Sequence, residues 1–99
     1  MQAQRVFDIA QKMITALDVI AMNLKSVDEI SPVVRDIQTA LKSYPNLPAS
    51  YEGKAKIDLW CDTLKNMNAS DEITDEQARQ LKFDLENALS EFNEKLRSD

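Results

Sequence analysis

Hydrophobic side chains recur three and four residues apart in four stretches of the chain, which is the spacing of one face of an α-helix. The first stretch runs from about Gln2 to Leu24 and contains neither glycine nor proline. Its apolar positions are Val6, Ile9, Ala10, Met13, Leu17, Ile20 and Leu24. The pattern predicts a long amphipathic first helix.

The second helix is predicted to begin near Pro32. Ser31 and Pro32 are typical of a cap followed by proline at the first helical position, and Ser26 with Glu29 indicates a capping box in a short preceding turn. Pro45 ends this helix because proline cannot continue the hydrogen-bond ladder. Its apolar positions are Val33, Val34, Ile37, Ala40, Leu41 and Tyr44.

Two further helices complete the pattern. The third starts after Ser50, with the inward face Ile57, Trp60, Cys61 and Leu64. The fourth follows a capping-box pattern of Thr74 with Gln77 and runs to about Leu96. Its apolar positions are Ala78, Leu81, Leu85, Ala88, Leu89, Phe92 and Leu96. Four amphipathic helices with short connections predict an all-α, antiparallel four-helix bundle spanning residues 1–99 as one domain.

Composition agrees with this fold and narrows the choice of partner. The chain has one glycine, whereas an all-β fold needs many more for its tight turns. The net charge of −5 repels nucleic acid and anionic lipid, so a basic or neutral protein partner is favoured. No apolar run approaches the ~20 residues that span a bilayer, and the N-terminus lacks the pattern of a signal peptide.

The residues indicate no catalytic chemistry. Histidine, the commonest acid–base group and a common metal ligand, is absent. Cys61 shares a helical face with Ile57 and Leu64, which predicts a buried, inert thiol rather than a nucleophile. The acidic run from Ser70 to Glu76 lacks the glycine and spacing of a calcium loop and is typical of helix capping. We therefore expect no enzyme, no cofactor and no metal.

Phe83 does not fit the apolar stripe of the fourth helix. It projects about 200° from Leu81 at 100° per residue, onto the face that should meet water. Arg79 lies one turn before it and Asn87 one turn after, with Glu86 beside them. An aromatic residue close to an arginine is typical of binding hot spots. The residues alone leave open whether Phe83 is a packing detail or a binding surface.

Met22 is similarly displaced on the first helix, two residues from both Ile20 and Leu24. If the first and fourth helices are neighbours, Met22 and Phe83 would form one patch.

Three separated segments resemble one known family. The segment from Ala69 to Leu96, "ASDEITDEQARQLKFDLENALSEFNEKL", is similar to the last helix of the vacuolar protein sorting-associated protein 28 family. The segment "LPASYEGKAKIDLW" is similar to its Leu-Pro, aromatic-Glu-Gly and Trp positions, and "MITALDVIAMNLKSVDEISP" to its first helix and turn. The match covers nearly the whole chain in order, and the agreement of three motifs is specific.

The resemblance implies a non-catalytic adaptor domain of ESCRT-I with the four-helix fold. In the family this C-terminal domain recruits ESCRT-II and ESCRT-III subunits during the sorting of ubiquitinated cargo to multivesicular endosomes. Other ESCRT-I subunits bind the N-terminal half, which this chain lacks. The implied location is cytoplasmic and peripheral on endosomal membranes.

Together these observations predict a monomeric domain whose partner docks on an exposed face centred on Phe83. The other candidate contacts are Met22, Arg79, Asp84, Glu86 and Asn87. The alternative is a structural domain that self-associates through exposed apolar residues such as Leu59. Leu59 falls about 200° from Ile57 and should be exposed, at a position that is usually polar in the family.

Overall fold

The computed structural model describes residues 2–44 and 47–97, and the side chains of residues 6–44 and 47–95. Over these residues it contains four α-helices and a terminal π-helical turn. The helices are α1 (Gln2–Ala21), α2 (Val27–Ser43), α3 (Gly53–Lys65) and α4 (Asp75–Phe92), and the π-helical turn is Asn93–Arg97. The predicted stop at Pro45 and the predicted core side chain of Leu96 lie outside this description.

The helices form a closed ring around one core. Each helix packs against the next in sequence, and α1 also packs against α4, whereas α2 and α4 lie diagonally across the bundle. The all-α, four-helix prediction is therefore confirmed. The fully buried side chains at the centre are Ile9, Met13, Ile30, Val34, Ile37, Leu41, Ile57, Leu64, Leu81, Leu85 and Phe92.

Phe92, the last residue of α4, packs in this core between two tyrosines. Its ring centroid is 6.5 Å from that of Tyr44 and 5.9 Å from that of Tyr51. The buried hydroxyl of Tyr51 donates to the carbonyl oxygen of Ala88 at 2.7 Å. Burial, and then the nearby Glu91 carboxylate, raise the pKa of Tyr51. Its hydroxyl therefore stays protonated and continues to donate to Ala88. This hydrogen bond holds the residues directly before α3 against α4.

The start of α2 differs from the prediction. The helix begins at Val27, and Pro32 lies inside it instead of at its first position. The side chain of Ser26 makes no capping hydrogen bond, so the predicted box with Glu29 does not form. Pro32 removes only the bond to the carbonyl of Asp28, and the first turn is held by partners elsewhere in the chain.

Those partners belong to the connection between α3 and α4. The backbone N–H of Val27 donates to the carbonyl of Asp71 at 2.9 Å, and Asp28 donates to Ala69 at 3.2 Å. In return, the N–H of Ile73 donates to the carbonyl of Lys25 at 2.9 Å. We call this set of backbone bonds the loop clasp. It satisfies N–H groups that a helix start otherwise leaves free.

The start of α4 agrees with the prediction in detail. The Thr74 hydroxyl accepts from the backbone N–H of Gln77 at 3.0 Å, and the Gln77 side chain accepts from the N–H of Thr74 at 2.9 Å. Both halves of the capping box are present. Asp75, the first residue of α4, also pairs with Lys25, so this helix start is tied to the connection between α1 and α2.

Gly53 is the first residue of α3 and is buried between Tyr51 and Ala88. A Cβ atom at this position would overlap the Tyr51 ring and lie 3.0 Å from the Ala88 Cβ. The ring cannot move away freely, because its hydroxyl is bonded to Ala88 and it packs on Phe92.

We expect Gly53→Ala to lower the free energy of unfolding by about 1–3 kcal/mol, the usual cost of overpacking. Alanine is otherwise the better helix former, by about 1 kcal/mol. Urea unfolding measures the difference, with Ala55→Gly, at an exposed position of the same helix, as the control for helix propensity. A gain in stability for Gly53→Ala would show that Tyr51 can yield.

Candidate functional site

Two large apolar side chains are exposed on the helices α3 and α4. Phe83 is 59% exposed and Leu59 is 64% exposed, so the exposure predicted for both is confirmed. Leu59 directly precedes Trp60, and Phe83 directly precedes Asp84. Trp60 on α3 donates a buried hydrogen bond from Nε1 to Asp84 Oδ2 on α4 at 2.8 Å. That bond places Leu59 and Phe83 at the same level of the bundle, on either side of the α3–α4 seam.

The polar pair beneath them is part of the core. Trp60 is 8% exposed, which agrees with its predicted inward position, and Asp84 is 7% exposed. The second carboxylate oxygen of Asp84 accepts from Gln80 Nε2 at 2.9 Å. The bond to the indole is charge-assisted, a type that commonly contributes about 1.5–3 kcal/mol.

The exposed position predicted for Asp84 is therefore wrong. Asp84 holds Trp60 in place from below the surface. The sequence carried a signal for this, because Asp84 follows Leu81 by three residues and precedes Ala88 by four. Those spacings put it on the edge of the apolar stripe, where a carboxylate needs a buried donor.

Phe83 borders a groove of about 340 Å³ between the two helices. The groove walls include Lys56 and Gly53 from α3, and Asn87 from α4. One turn toward the start of α4, Arg79 lines a second groove with Trp60. We call the exposed residues Lys56, Leu59, Arg79, Phe83 and Asn87 the α3–α4 face. Three of the predicted contacts, Phe83, Arg79 and Asn87, thus lie on one surface.

Met22 and Glu86 are not part of this surface. Met22 is 63% exposed but lies on the segment that follows α1, and α1 packs on the other flank of α4. The groove at Phe83 is lined, within the described part of the chain, by residues around α3 and α4, and the single patch predicted for Met22 and Phe83 stays a prediction. Glu86 is exposed and lies outside the groove lining.

Two further apolar residues are exposed on α1, and sequence reasoning missed them. Phe7 is 59% exposed and Ile14 is 42% exposed. They are seven residues apart, so they project from the same side of the helix. Both positions fall off the core stripe of α1, and that displacement was the available signal.

Cys61 is half-buried rather than fully buried, which corrects the prediction. It lies beside Arg35, Gln38 and Lys42 of α2 in a shallow groove. Burial, followed by the negative charge of Asp58, raises the pKa of the Cys61 thiol. A raised pKa lowers the thiolate fraction, in agreement with the predicted lack of reactivity.

Within the described residues, no cluster of three histidine, cysteine or carboxylate side chains could hold a metal ion. Among the described helices, none combines the length and apolar character required to cross a membrane.

Comparison with known proteins decides the family. The family described as VPS28 protein matches residues 1–96.

The chain belongs to the VPS28 family.

Individual relatives support this membership. Vacuolar protein sorting-associated protein 28 homolog 1 of Arabidopsis thaliana is 40% identical over 90 residues, covering 91% of this chain and 43% of the relative. Vacuolar protein sorting-associated protein 28 of Dictyostelium discoideum is 40% identical over 96 residues, covering 97% of this chain and 33% of the relative. This VPS28 chain therefore spans less than half of the curated relatives that it matches.

A solved structure confirms the fold. The X-ray structure of the yeast ESCRT-I Vps28 C-terminus superposes with a TM-score of 0.83, covering 93% of this chain and 91% of that one at 24% sequence identity. The resemblance inferred from three motifs is thus confirmed across the VPS28 chain. Members of this family are non-enzymatic, as the residues of this chain had predicted.

Proposed function

We propose that this VPS28 domain is an adaptor of ESCRT-I that recruits ESCRT-II or ESCRT-III subunits to endosomal membranes, and that the α3–α4 face is its docking site. The sorting role follows from the relatives, which are vacuolar protein sorting proteins, and from the yeast ESCRT-I domain that shares the fold. The observation that carries the docking site is the exposure of Leu59 and Phe83 on either side of a rigid seam.

The supporting argument compares packing with binding. A side chain that serves packing is largely removed from water, but Phe83 keeps more than half of its surface exposed. Leu59 at the same level is a second exposed apolar side chain. Arg79 and Lys56 border this area with hydrogen-bond donors. An apolar centre with a polar rim is the usual composition of a protein interface.

The experiment is the substitution Phe83→Ala. We expect it to weaken binding to an ESCRT-II or ESCRT-III partner by about tenfold or more, because central aromatic residues commonly contribute about 2 kcal/mol. Arg79→Ala should weaken binding less, since a charge at the rim mainly changes the association rate. Isothermal titration calorimetry with purified partner subunits measures both.

Phe7→Ala is the matched control, because Phe7 has the same exposed fraction and lies on α1. It should bind like the unchanged domain. Unchanged affinity for Phe83→Ala, together with lowered stability, would reassign Phe83 to packing and reject the proposed site.

Self-association through Leu59 is the second candidate function, favoured by its 64% exposure. Light scattering over a range of concentrations separates the two. A monomer at every concentration supports docking of another protein, and a dimer that Leu59→Ala abolishes supports self-association.

A further inference from the structure

The groove beside Phe83 carries an excess of negative charge. Its described lining contains four carboxylates and one ammonium group. The carboxylates are Glu52, Asp84, Glu91 and Glu94, and the ammonium group is that of Lys56. Phe83 and the adjacent Asp84 lie at one end of this groove, and Glu52, Glu91 and Glu94, near the start of α3 and the end of α4, form its acidic end.

Two of these carboxylates are held in position by the fold. Asp84 is fixed by Trp60 and Gln80, as described above. Glu91 accepts from the backbone N–H of Glu52 at 3.2 Å and pairs with Lys95 at 3.5 Å. The hydrogen bond from Glu52 to Glu91 holds the start of α3 against the end of α4. Of the carboxylates at the acidic end of the groove, that of Glu91 is therefore built into the packing of the two helices.

The exposed carboxylates are those of Glu52 and Glu94. They lie where α3 begins and where the π-helical turn follows α4, on the two walls of the groove. A cation placed between the walls would meet both. Phe83 and Glu94 are separated by eleven residues, or about 16 Å at 1.5 Å per residue.

From this arrangement we infer that the groove of the α3–α4 face takes a basic segment of its partner, with one apolar side chain against Phe83 and a lysine or arginine toward Glu52 and Glu94. The inference rests on the proposed function and specifies the chemistry of the partner. Charge complementarity carries it, since opposite potentials steer association and reject like-charged partners. A second copy of this chain, with its net charge of −5, would be repelled from the same groove.

The test is a charge reversal on the groove walls. In the double variant Glu52→Lys, Glu94→Lys, we expect affinity for the ESCRT-II or ESCRT-III partner to fall by about tenfold at low salt. The loss should shrink near 1 M salt, where the Debye length falls to about 3 Å. The control is Asp8→Lys, Asp36→Lys, which changes the net charge equally in a groove between α1 and α2. Its affinity should stay within about twofold at physiological salt, where salt screens distant charges, because Asp8 and Asp36 line a different groove.

A peptide pair tests the groove without the natural partner. The two probes are helical 14-residue peptides with one leucine, identical except that lysines in one are glutamates in the other. The lysine peptide should bind the unchanged domain about tenfold more tightly, and the wall variant should lose this preference. Thermal melting verifies that each variant is folded.

The outcomes separate the two proposals. If Phe83→Ala weakens partner binding but the wall variant does not, the docking site stands and the basic-segment inference is rejected. If neither ESCRT subunit binds but the domain binds the lysine peptide more tightly than the glutamate peptide, the recruitment role is rejected and the inferred chemistry of the groove stands. Equal binding of both peptides, or preference for the glutamate peptide, overturns the inference.

Discussion

Replacing Trp60 with alanine is expected to lower the free energy of unfolding by about 3–5 kcal/mol, the range for large buried aromatic residues. The indole is 8% exposed on the inner face of α3. Its removal opens a cavity at the α3–α4 seam and also leaves the Asp84 carboxylate without its buried N–H donor. The free energy of unfolding of a native domain is about 5–15 kcal/mol in total, so the loss brings the variant close to unfolding at room temperature.

The neighbouring residue supplies the control. Leu59→Ala removes an exposed side chain from the same helix and should change stability by less than about 0.5 kcal/mol. Trp60→Phe separates the two contributions, because it keeps most of the apolar volume and loses the N–H. Urea denaturation followed by circular dichroism measures all three variants. Equal stability of Trp60→Ala and the unchanged domain would mean that the inner face of α3 is assigned incorrectly.

Phe92→Ala is expected to lower the free energy of unfolding by a similar amount, about 3–5 kcal/mol. Phe92 is fully buried and its ring contacts both Tyr44 and Tyr51, so alanine leaves a cavity lined by two aromatic rings. Neither tyrosine can fill it easily, since Tyr51 is bonded to the Ala88 carbonyl.

Phe83 lies on the same helix and allows the same substitution at an exposed site. Phe83→Ala should change stability by less than about 1 kcal/mol. Chemical denaturation of Phe83→Ala and Phe92→Ala compares the loss of stability at an exposed and at a buried position. The residue type and the helix are the same in both. Similar losses for the two variants would contradict the assignment of Phe83 to the surface.

The four helices could be predicted from the sequence because the pattern that indicates each helix lies within or directly beside that helix. The apolar spacing of α1 and α4 is local, and the capping box of Thr74 and Gln77 forms between residues three apart. Such features do not depend on the rest of the fold. The exposure of Leu59 and Phe83 was predictable for the same reason, since the helical angle alone places them off the stripe.

The features that the sequence did not reveal depend on residues far apart in the chain. The first turn of α2 is completed by carbonyls of the α3–α4 connection, which no local motif near Val27 indicates. Gly53 is needed because Tyr51 and Ala88 meet there. The burial of Asp84 depends on an indole N–H that only the packing of α3 on α4 supplies.

The loop clasp limits how this domain can respond to a bound partner. It joins the start of α2, through backbone atoms, to the connection that leads into α4, although α2 and α4 lie diagonally across the bundle. Helices that transmit a signal commonly slide past one another by small steps or by a whole turn of about 5.4 Å. Sliding of the start of α4 relative to α2 would strain these backbone bonds, because they hold the residues directly before α4. We therefore expect binding to position a partner and to leave the arrangement of α2 and α4 unchanged.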